Sequence, residues 1–218
     1  DVQIIDAVEE KEMTEAFAQS LFEKRQRRGI TLYDAKKNMR NRNYFGASMV
    51  EFGKADALIS GLTRNYVTTV KPALQIISTA PGVNRVAGMY MMLTKKGPVF
   101  FADTTINVNP SAEELVDITV LVNEAVKRFN ITPRIAMLSY SNYGSNDGEM
   151  VVKSREAVRI LHERHPDIIV DGELQANFAL NENLMKENFS FSKLKDVPAN
   201  TLVFPNLDSG NIAYKLLQ

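Results

Sequence analysis

The order of strand-like and helix-like segments in the second half of the chain limits the folds open to it. Residues 134–139, 168–170 and 202–204 are short apolar runs of strand character, and residues 149–165 have helical spacing. Parallel strands need long crossovers, usually helices, whereas antiparallel strands can be joined by a tight turn. The alternation therefore predicts an α/β fold with a mainly parallel, helix-covered sheet.

Capping and turn signals predict further elements beside this alternation. Ser111 and Glu114 have the spacing of a capping box and precede an amphipathic helix. Residues 95–97 form a Gly-containing turn between strand-like runs at 86–93 and 99–102. The sequence thus predicts a hairpin followed by a helix.

The first third of the chain is predicted to mix strands and helices as well. Residues 2–5 and 57–60 have strand character, the second as a buried strand. Helices are predicted from an N-cap at Thr31, over residues 44–52, and around Pro72. The opening is therefore expected to run from strand to helix.

Length and composition limit the kind of protein, its domain number, its binding partners and its cellular location. The 218 residues are 44% hydrophobic, which fits a soluble protein of one or two domains. The turn-rich segment at 80–84 predicts a boundary that separates domain 1–80 from domain 81–218. The 26 basic and 26 acidic residues give no overall field for nucleic acid or an anionic membrane, so neither is an expected partner. With no membrane-spanning run and no signal segment, we expect a cytoplasmic location.

Four loops are candidates for a ligand site because ligands of open α/β sheets bind where the strands end. They are residues 60–64, 139–145, 171–175 and 204–210, all rich in small or hydroxyl side chains. Free backbone N–H groups at a following helix can hold an anion, although the same residues also simply make turns. The candidate ligand-binding residues in or beside these loops are Thr63, Arg64, Ser139, Ser141, Gly144, Ser145, Asp208, Ser209 and Asn211.

Other kinds of site have little support in the sequence. The chain lacks the phosphate-loop, dinucleotide and nucleophile-elbow motifs, and it has no cysteine. His162 and His165 lie near a predicted helix end, where the helix dipole favours a cation, and no third metal ligand is specified. No metal site and no catalytic residue is therefore predicted.

Several longer segments resemble the signature segments of a known protein family. The segments FADTTINVNPSAEELVDI, AMLSYSNYGS, DGELQANFAL and FPNLDSGNIAYK resemble, in order, signature segments of the phosphate acetyltransferase family. The segments MRNRNYFGASMV and GLTRNY are more similar to the C-terminal acetyltransferase-like domain of bacterial hybrid NAD(P)-dependent malic enzymes. The resemblance implies two α/β/α domains with mainly parallel sheets and an interdomain cleft that binds acetyl-CoA or acetyl phosphate. NAD(P) and a divalent metal would belong only to the malic-enzyme domains, which are not in this sequence.

The resemblance also implies roles for particular residues and a shortened chain. Two phosphate-binding arginines of the family correspond to Arg25 and Lys71, and lysine lacks the planar fork of arginine. The first domain is expected to be incomplete, and the family's Ser-Arg-Gly segment with its nearby Asp is expected to follow beyond this sequence. We therefore expect a weakened phosphate site and no turnover by this fragment.

Three functions remain open at this point. The first is an acetyl-CoA-sensing regulatory domain of a malic enzyme, whose malate decarboxylation to pyruvate takes place elsewhere in that protein. The second is an active phosphate acetyltransferase, in which backbone N–H groups at residues 139–145 stabilise developing charge. The third is an oligomerisation module, acting through self-association as a homodimer or larger assembly.

Overall fold

The computed structural model describes residues 2–218, which form two compact units. The N-terminal unit ends at Gly82, and the C-terminal unit is Val83–Gln218. The boundary predicted from the sequence lies between residues 80 and 81. Within residues 2–218, every helix is too short or too polar to cross a bilayer.

The N-terminal unit is built from helices around one apolar core. Its helices are α1 (Lys11–Arg25), α2 (Leu32–Asn38), α3 (Arg42–Glu51) and α4 (Tyr66–Ile76). Phe17 and Leu21 of α1 are buried together with Phe45 of α3 and Ile76 of α4. The predicted N-cap at Thr31 is confirmed, because its side chain accepts a hydrogen bond from the backbone N–H three residues on.

The two strands predicted in this unit are wrong. Residues 2–5 and 57–60 pair with no strand among the described residues. Val2 and Ile4 are 93% and 92% exposed, and Ile59 is 98% exposed. Apolar β-branched residues form a strand only where a neighbouring strand supplies hydrogen bonds and another layer covers the side chains. Neither segment has a neighbouring strand among residues 2–218, and Val2, Ile4 and Ile59 have no covering layer.

The C-terminal unit contains the five-stranded sheet. Its strands are β1 (Met89–Thr94), β2 (Gly97–Ala102), β3 (Ile135–Leu138), β4 (Val170–Leu174) and β5 (Thr201–Val203). They lie in the order β1-β2-β5-β3-β4, and β1 is antiparallel to β2 while the other neighbours are parallel. The predicted hairpin and the predicted mainly parallel sheet are both confirmed. The last strand, β5, lies in the middle of the sheet.

Helices cover both faces of this sheet. They are α5 (Ala112–Lys127), α6 (Glu149–Arg164), α7 (Ala176–Ala179), α8 (Glu182–Asn188) and α9 (Leu207–Leu217). Phe100 of β2 packs with Leu115 of α5 and Leu161 of α6 on one face. The next residue, Phe101, faces the other layer, where Tyr214 of α9 is buried. The alternation of side chains along β2 thus separates two cores, as expected for an α/β/α unit.

The capping box predicted before α5 is confirmed. Ser111 Oγ accepts a hydrogen bond from Glu114 N at 3.3 Å, and Glu114 Oε2 accepts one from Ser111 N at 2.8 Å. Two of the backbone N–H groups at the helix start are therefore satisfied by side chains.

Strand β4 begins later and extends further than predicted. The sequence predicts a strand at 168–170 and a loop at 171–175, whereas the strand contains Val170–Leu174. Asp171 and Glu173 are only 7% and 0% exposed. Their carboxylates can be buried because each accepts several hydrogen bonds. The loop prediction at 171–175 is therefore wrong for all but its last residue.

Candidate ligand-binding cleft

A cleft of about 370 Å³ lies at the carboxyl ends of β3 and β5. These neighbouring parallel strands end at the same edge of the sheet, which is where α/β units place their ligands. Of the nine lining residues, all in the described part of the chain, none has a charged side chain. They are Leu138, Ser139, Tyr140, Met150, Ala176, Phe204, Pro205, Asn206 and Ser209.

Two predicted ligand residues, Ser139 and Ser209, meet at this cleft. The Ser139 hydroxyl is buried and has no hydrogen-bond partner among the described residues. Ser209 N donates to Asn206 Oδ1 at 3.0 Å, and Ser209 Oγ donates to Asn206 O at 2.9 Å. Asn206 therefore caps α9, and one of the N–H groups expected to face an anion already has a partner.

Helix α9 reaches the sheet edge closely because of Gly210. A Cβ at this position would lie 2.4 Å from Asp103 O, at the end of β2. Asn211 Nδ2 donates to Thr104 O at 3.1 Å in the same region. Asp208 is exposed on the first turn of α9. Asn211 thus anchors α9 to the segment after β2, and neither Asp208 nor Asn211 lines the cleft described above.

Of the other three predicted residues after β3, Ser141 and Gly144 bind a carboxylate of the chain itself, and Ser145 contacts Ser141. Gly144 N donates to Glu173 Oε1 at 2.7 Å, and Ser141 Oγ donates to the same oxygen at 3.1 Å. The Ser141 and Ser145 hydroxyl oxygens are 2.9 Å apart. The backbone N–H group that could hold a ligand anion here is occupied by Glu173.

Glu173 carries a negative charge in this buried position. Burial works to raise the pKa of Glu173, but hydrogen bonds from Arg155 and from the Gly144 N–H outweigh burial and leave the pKa below its ordinary value. Arg155 Nε lies 3.2 Å from Glu173 Oε2, and Arg155 Nη1 also lies 3.1 Å from Asp147 Oδ1. The guanidinium therefore joins the buried carboxylate to the start of α6.

The four candidate residues of the N-terminal unit do not converge on one point. Arg25 donates to two backbone carbonyl oxygens at the end of α4, those of Gln75 and Leu74. Thr63 Oγ1 accepts a hydrogen bond from Arg42. Arg64 and Lys71 are exposed. The ligand role of each of these residues stays a prediction.

The ligand residues predicted from the sequence did not include seven of the nine lining residues or the buried carboxylate, although Tyr140, Phe204, Pro205 and Asn206 lie in the predicted loops. Asn206 could have been found from its position three residues before Ser209, which is the spacing of a helix cap. Met150 and Tyr140 carry no such signal, because their approach to the cleft depends on how α6 and β3 pack. No three His, Asp or Glu side chains within residues 2–218 are grouped to hold a metal ion.

The arrangement suits binding of a neutral, partly apolar group. The cleft offers hydroxyl, amide and phenol groups from Ser139, Asn206 and Tyr140 among apolar walls. Ligand pockets commonly combine an apolar lining with a few polar groups that fix orientation. No lining side chain is a carboxylate, imidazole or amine that could exchange a proton with a ligand near neutral pH.

The sequence of this chain is similar to those of known proteins. Residues 1–218 match the family model described as phosphate acetyl/butaryl transferase. The phosphate acetyltransferase of Clostridium acetobutylicum is 38% identical over 212 residues, which cover 94% of this chain and 63% of that protein. The NADP-dependent malic enzyme of Haemophilus influenzae is 37% identical, covering 100% of this chain and 29% of that protein. This chain spans less than two thirds of the length of either relative.

Solved structures have the same fold. A phosphotransacetylase from Streptococcus pyogenes superposes with a TM-score of 0.83 at 40% identity, covering 99% of this chain and 64% of that one. The EutD phosphotransacetylase from Staphylococcus aureus gives a TM-score of 0.85 at 35% identity, covering 100% of this chain and 66% of that one.

Proposed function

The chain belongs to the phosphate acetyl/butaryl transferase family, and from that membership we propose that it binds an acyl-coenzyme A thioester as a regulatory domain. The resemblance predicted from its motifs is confirmed at the level of the family. The single observation that carries the finer proposal is the cleft beside β3 and β5, which is concave, largely apolar and free of charged lining side chains.

The chemistry of the cleft favours the acyl and pantetheine part of such a ligand. That part contains a thioester, two amides and methylene groups, and it carries no charge. Hydroxyl and amide groups at Ser139 and Asn206 can exchange hydrogen bonds with the amides, while Met150 and Phe204 supply apolar surface. A phosphate dianion would instead be favoured by cationic side chains, which this lining lacks.

The same cleft favours binding over turnover. Transfer of an acyl group to coenzyme A requires removal of the thiol proton, and a general base must lie within hydrogen-bond reach of it. None of the lining side chains can act as that base near neutral pH. The Gly144 N–H, a candidate for stabilising developing negative charge, donates to Glu173 instead. These features support a sensor that binds without reaction.

A malic enzyme is the setting that we propose for such a sensor. Malic enzymes of Haemophilus influenzae and Rhizobium meliloti match this chain over 29% and 28% of their lengths. Malate oxidation, with its NAD(P) and divalent metal, would then take place outside the residues present here. Acyl-CoA bound to one conformational state of such an enzyme would favour that state, with a coupling of about 1–3 kcal/mol.

Calorimetric titration with acetyl-CoA tests the proposal. Saturable binding is expected, together with weaker binding of acetyl phosphate alone. Ala176→Phe should weaken acetyl-CoA binding by about tenfold or more, because the added ring would occupy the cleft. Asn177→Phe is the matched control, since Asn177 is an exposed neighbour on α7 that does not line the cleft. Equal affinities in the two variants would contradict the assignment of the cleft.

An active phosphate acetyltransferase is the second candidate, favoured by relatives of that name. It requires acetyl-CoA formation when the chain is mixed with acetyl phosphate and coenzyme A. Thioester absorbance measures this directly, and sustained turnover would exclude a purely regulatory role.

Self-association is a third proposal, supported by the edge strand β1. Its Leu93 and Met91 side chains are 81% and 42% exposed, and edge strands can pair with a second chain. Light scattering over a range of concentrations tests this, and a strict monomer throughout would contradict it.

A further inference from the structure

The segment that follows β3, residues 139–145, is named here the β3 turn. Its first two residues, Ser139 and Tyr140, line the cleft. Near its end, Tyr143 and Gly144 have positive φ angles of 43° and 87°. A side chain such as tyrosine rarely adopts this conformation, so surrounding contacts must hold it. The shape of the turn therefore depends on what packs against it.

The C-terminal part of β4 supplies those contacts. Tyr143 N donates to Glu173 O at 2.9 Å, and Ser139 N donates to Leu174 O at 2.8 Å. The Glu173 carboxylate accepts hydrogen bonds from Gly144 N and Ser141 Oγ, as described above. One residue of β4 thus contacts the β3 turn through both its backbone and its side chain.

The Glu173 carboxylate also forms an ion pair with Arg155, which strengthens its contact with the β3 turn. Glu173 is fully buried, and Arg155 donates to it from α6 through Nε at 3.2 Å. Arg155 also donates through Nη2 to Asn146 O at 2.7 Å, directly after the turn. Breaking a buried ion pair leaves an uncompensated group and is strongly unfavourable. The carboxylate and the guanidinium therefore hold the turn from two sides.

We propose that Glu173 is a positioning residue for the cleft, whose carboxylate fixes the β3 turn so that Ser139 and Tyr140 face the bound acyl-coenzyme A. This inference rests on the proposed function. Glu173 does not line the cleft and acts on the ligand only through the turn. Precise positioning of ligand-contacting groups by a supporting layer of hydrogen bonds is a general requirement of binding sites.

Glu173→Gln tests the proposal with little change of shape. A glutamine side chain offers one acceptor oxygen and carries no charge, so one of Gly144 N and Arg155 loses its acceptor and the bond that remains is weaker than the bond to a carboxylate. Asn200→Ala is the matched control. Asn200 is 7% exposed and bonds Arg134 N and Thr132 O at the opposite end of the sheet. Both variants should lower the unfolding temperature.

Two measurements below that temperature separate positioning from general stability. Hydrogen exchange of the Gly144 amide should be about tenfold faster in Glu173→Gln and unchanged in Asn200→Ala. Calorimetry with acetyl-CoA should give an affinity about fivefold weaker or worse for Glu173→Gln, with Asn200→Ala matching the unsubstituted chain. This pattern would support the proposal.

The other possible outcomes contradict either the positioning role of Glu173 or the proposed binding of acetyl-CoA. Unchanged Gly144 exchange in Glu173→Gln would show that the carboxylate does not hold the turn, and would overturn the inference. Faster exchange with unchanged affinity would show that the turn does not serve the ligand, and would overturn it as well. If the unsubstituted chain binds no acetyl-CoA, the proposed function fails, and the positioning role that depends on it fails with it.

Discussion

Removing the guanidinium of Arg25 should loosen the end of α4 in the N-terminal unit. Arg25 Nε donates to Gln75 O at 2.9 Å, and Arg25 Nη2 donates to Leu74 O at 2.6 Å. Lys24 Nζ donates to the next carbonyl oxygen, Ile76 O, at 2.8 Å. The last carbonyl groups of a helix have no partner within the helix, and cations are favoured there. The end of α1 thus caps the end of α4.

The size of the effect follows from these contacts. A hydrogen bond to a charged group contributes about 1.5–3 kcal/mol when sheltered from solvent, and Arg25 is half-buried. We therefore expect the two bonds together to contribute roughly 2–3 kcal/mol, including the interaction with the helix dipole. Arg25→Met keeps much of the apolar stem while removing the donors, so it isolates this contribution.

Hydrogen exchange at the α4 amides measures the effect locally. A loss of roughly 2–3 kcal/mol corresponds to exchange about 30- to 160-fold faster in Arg25→Met. Arg25→Lys keeps the positive charge but loses the planar guanidinium. Its α4 amides should exchange at a rate between those of the unsubstituted chain and of Arg25→Met. Unchanged exchange in Arg25→Met, combined with loss of acetyl phosphate binding, would refute this reasoning. It would mean that the guanidinium serves a ligand, as the family resemblance predicts for this residue.

Four further outcomes are expected. Gly210→Ala should destabilise by about 1–3 kcal/mol, seen as a lower melting temperature, because its Cβ would meet Asp103 O. Ser111→Ala should cost about 1 kcal/mol in denaturant unfolding through loss of the capping box. Lys71→Arg should strengthen acetyl phosphate binding in calorimetry if this position contacts phosphate, since arginine binds it through a planar fork. For Glu173, the lowered folded pKa means that the charged form stabilises the chain above about pH 4.5, so the deficit of Glu173→Gln in unfolding experiments should shrink as pH falls below that value.

The parts of the fold that were predictable are those set by local sequence. Helix α5 carries its own start signal in Ser111 and Glu114, and its apolar spacing holds over four turns. The β1–β2 hairpin is marked by its turn residues. These signals depend on neighbours in the chain and need no knowledge of distant partners.

The strand and loop predictions that were wrong depend on contacts between residues that are distant in the sequence. The runs at 2–5 and 57–60 look like strands but have no strand to pair with in the described part of the chain, residues 2–218. The acids Asp171 and Glu173 look like loop residues, yet they belong to a strand because partners from other segments satisfy their carboxylates. In both cases, a contact far away in sequence decides the outcome.

For the candidate site, too, the location could be predicted from the sequence, whereas contacts between distant residues could not. The general location was predictable, because the carboxyl ends of parallel strands are where ligands bind. The internal use of Gly144 and Ser141 was not, since Glu173 lies about 30 residues further along the chain. Nothing in the local pattern of a Gly- and Ser-rich turn distinguishes a cradle for a ligand from one filled by the protein.

The central place of β5 in the sheet has a consequence for synthesis of the chain. Strand β3 cannot complete its pairing until β5 arrives, and 66 residues separate their paired positions Ile135 and Thr201. At typical translation speeds that interval lasts roughly 3–13 s, during which the inner edges of β2 and β3 have no strand between them. Such exposed edges are templates for pairing with other chains. The C-terminal unit therefore cannot complete its sheet until Thr201–Val203 have been translated, and this interval is when a chaperone would protect it most.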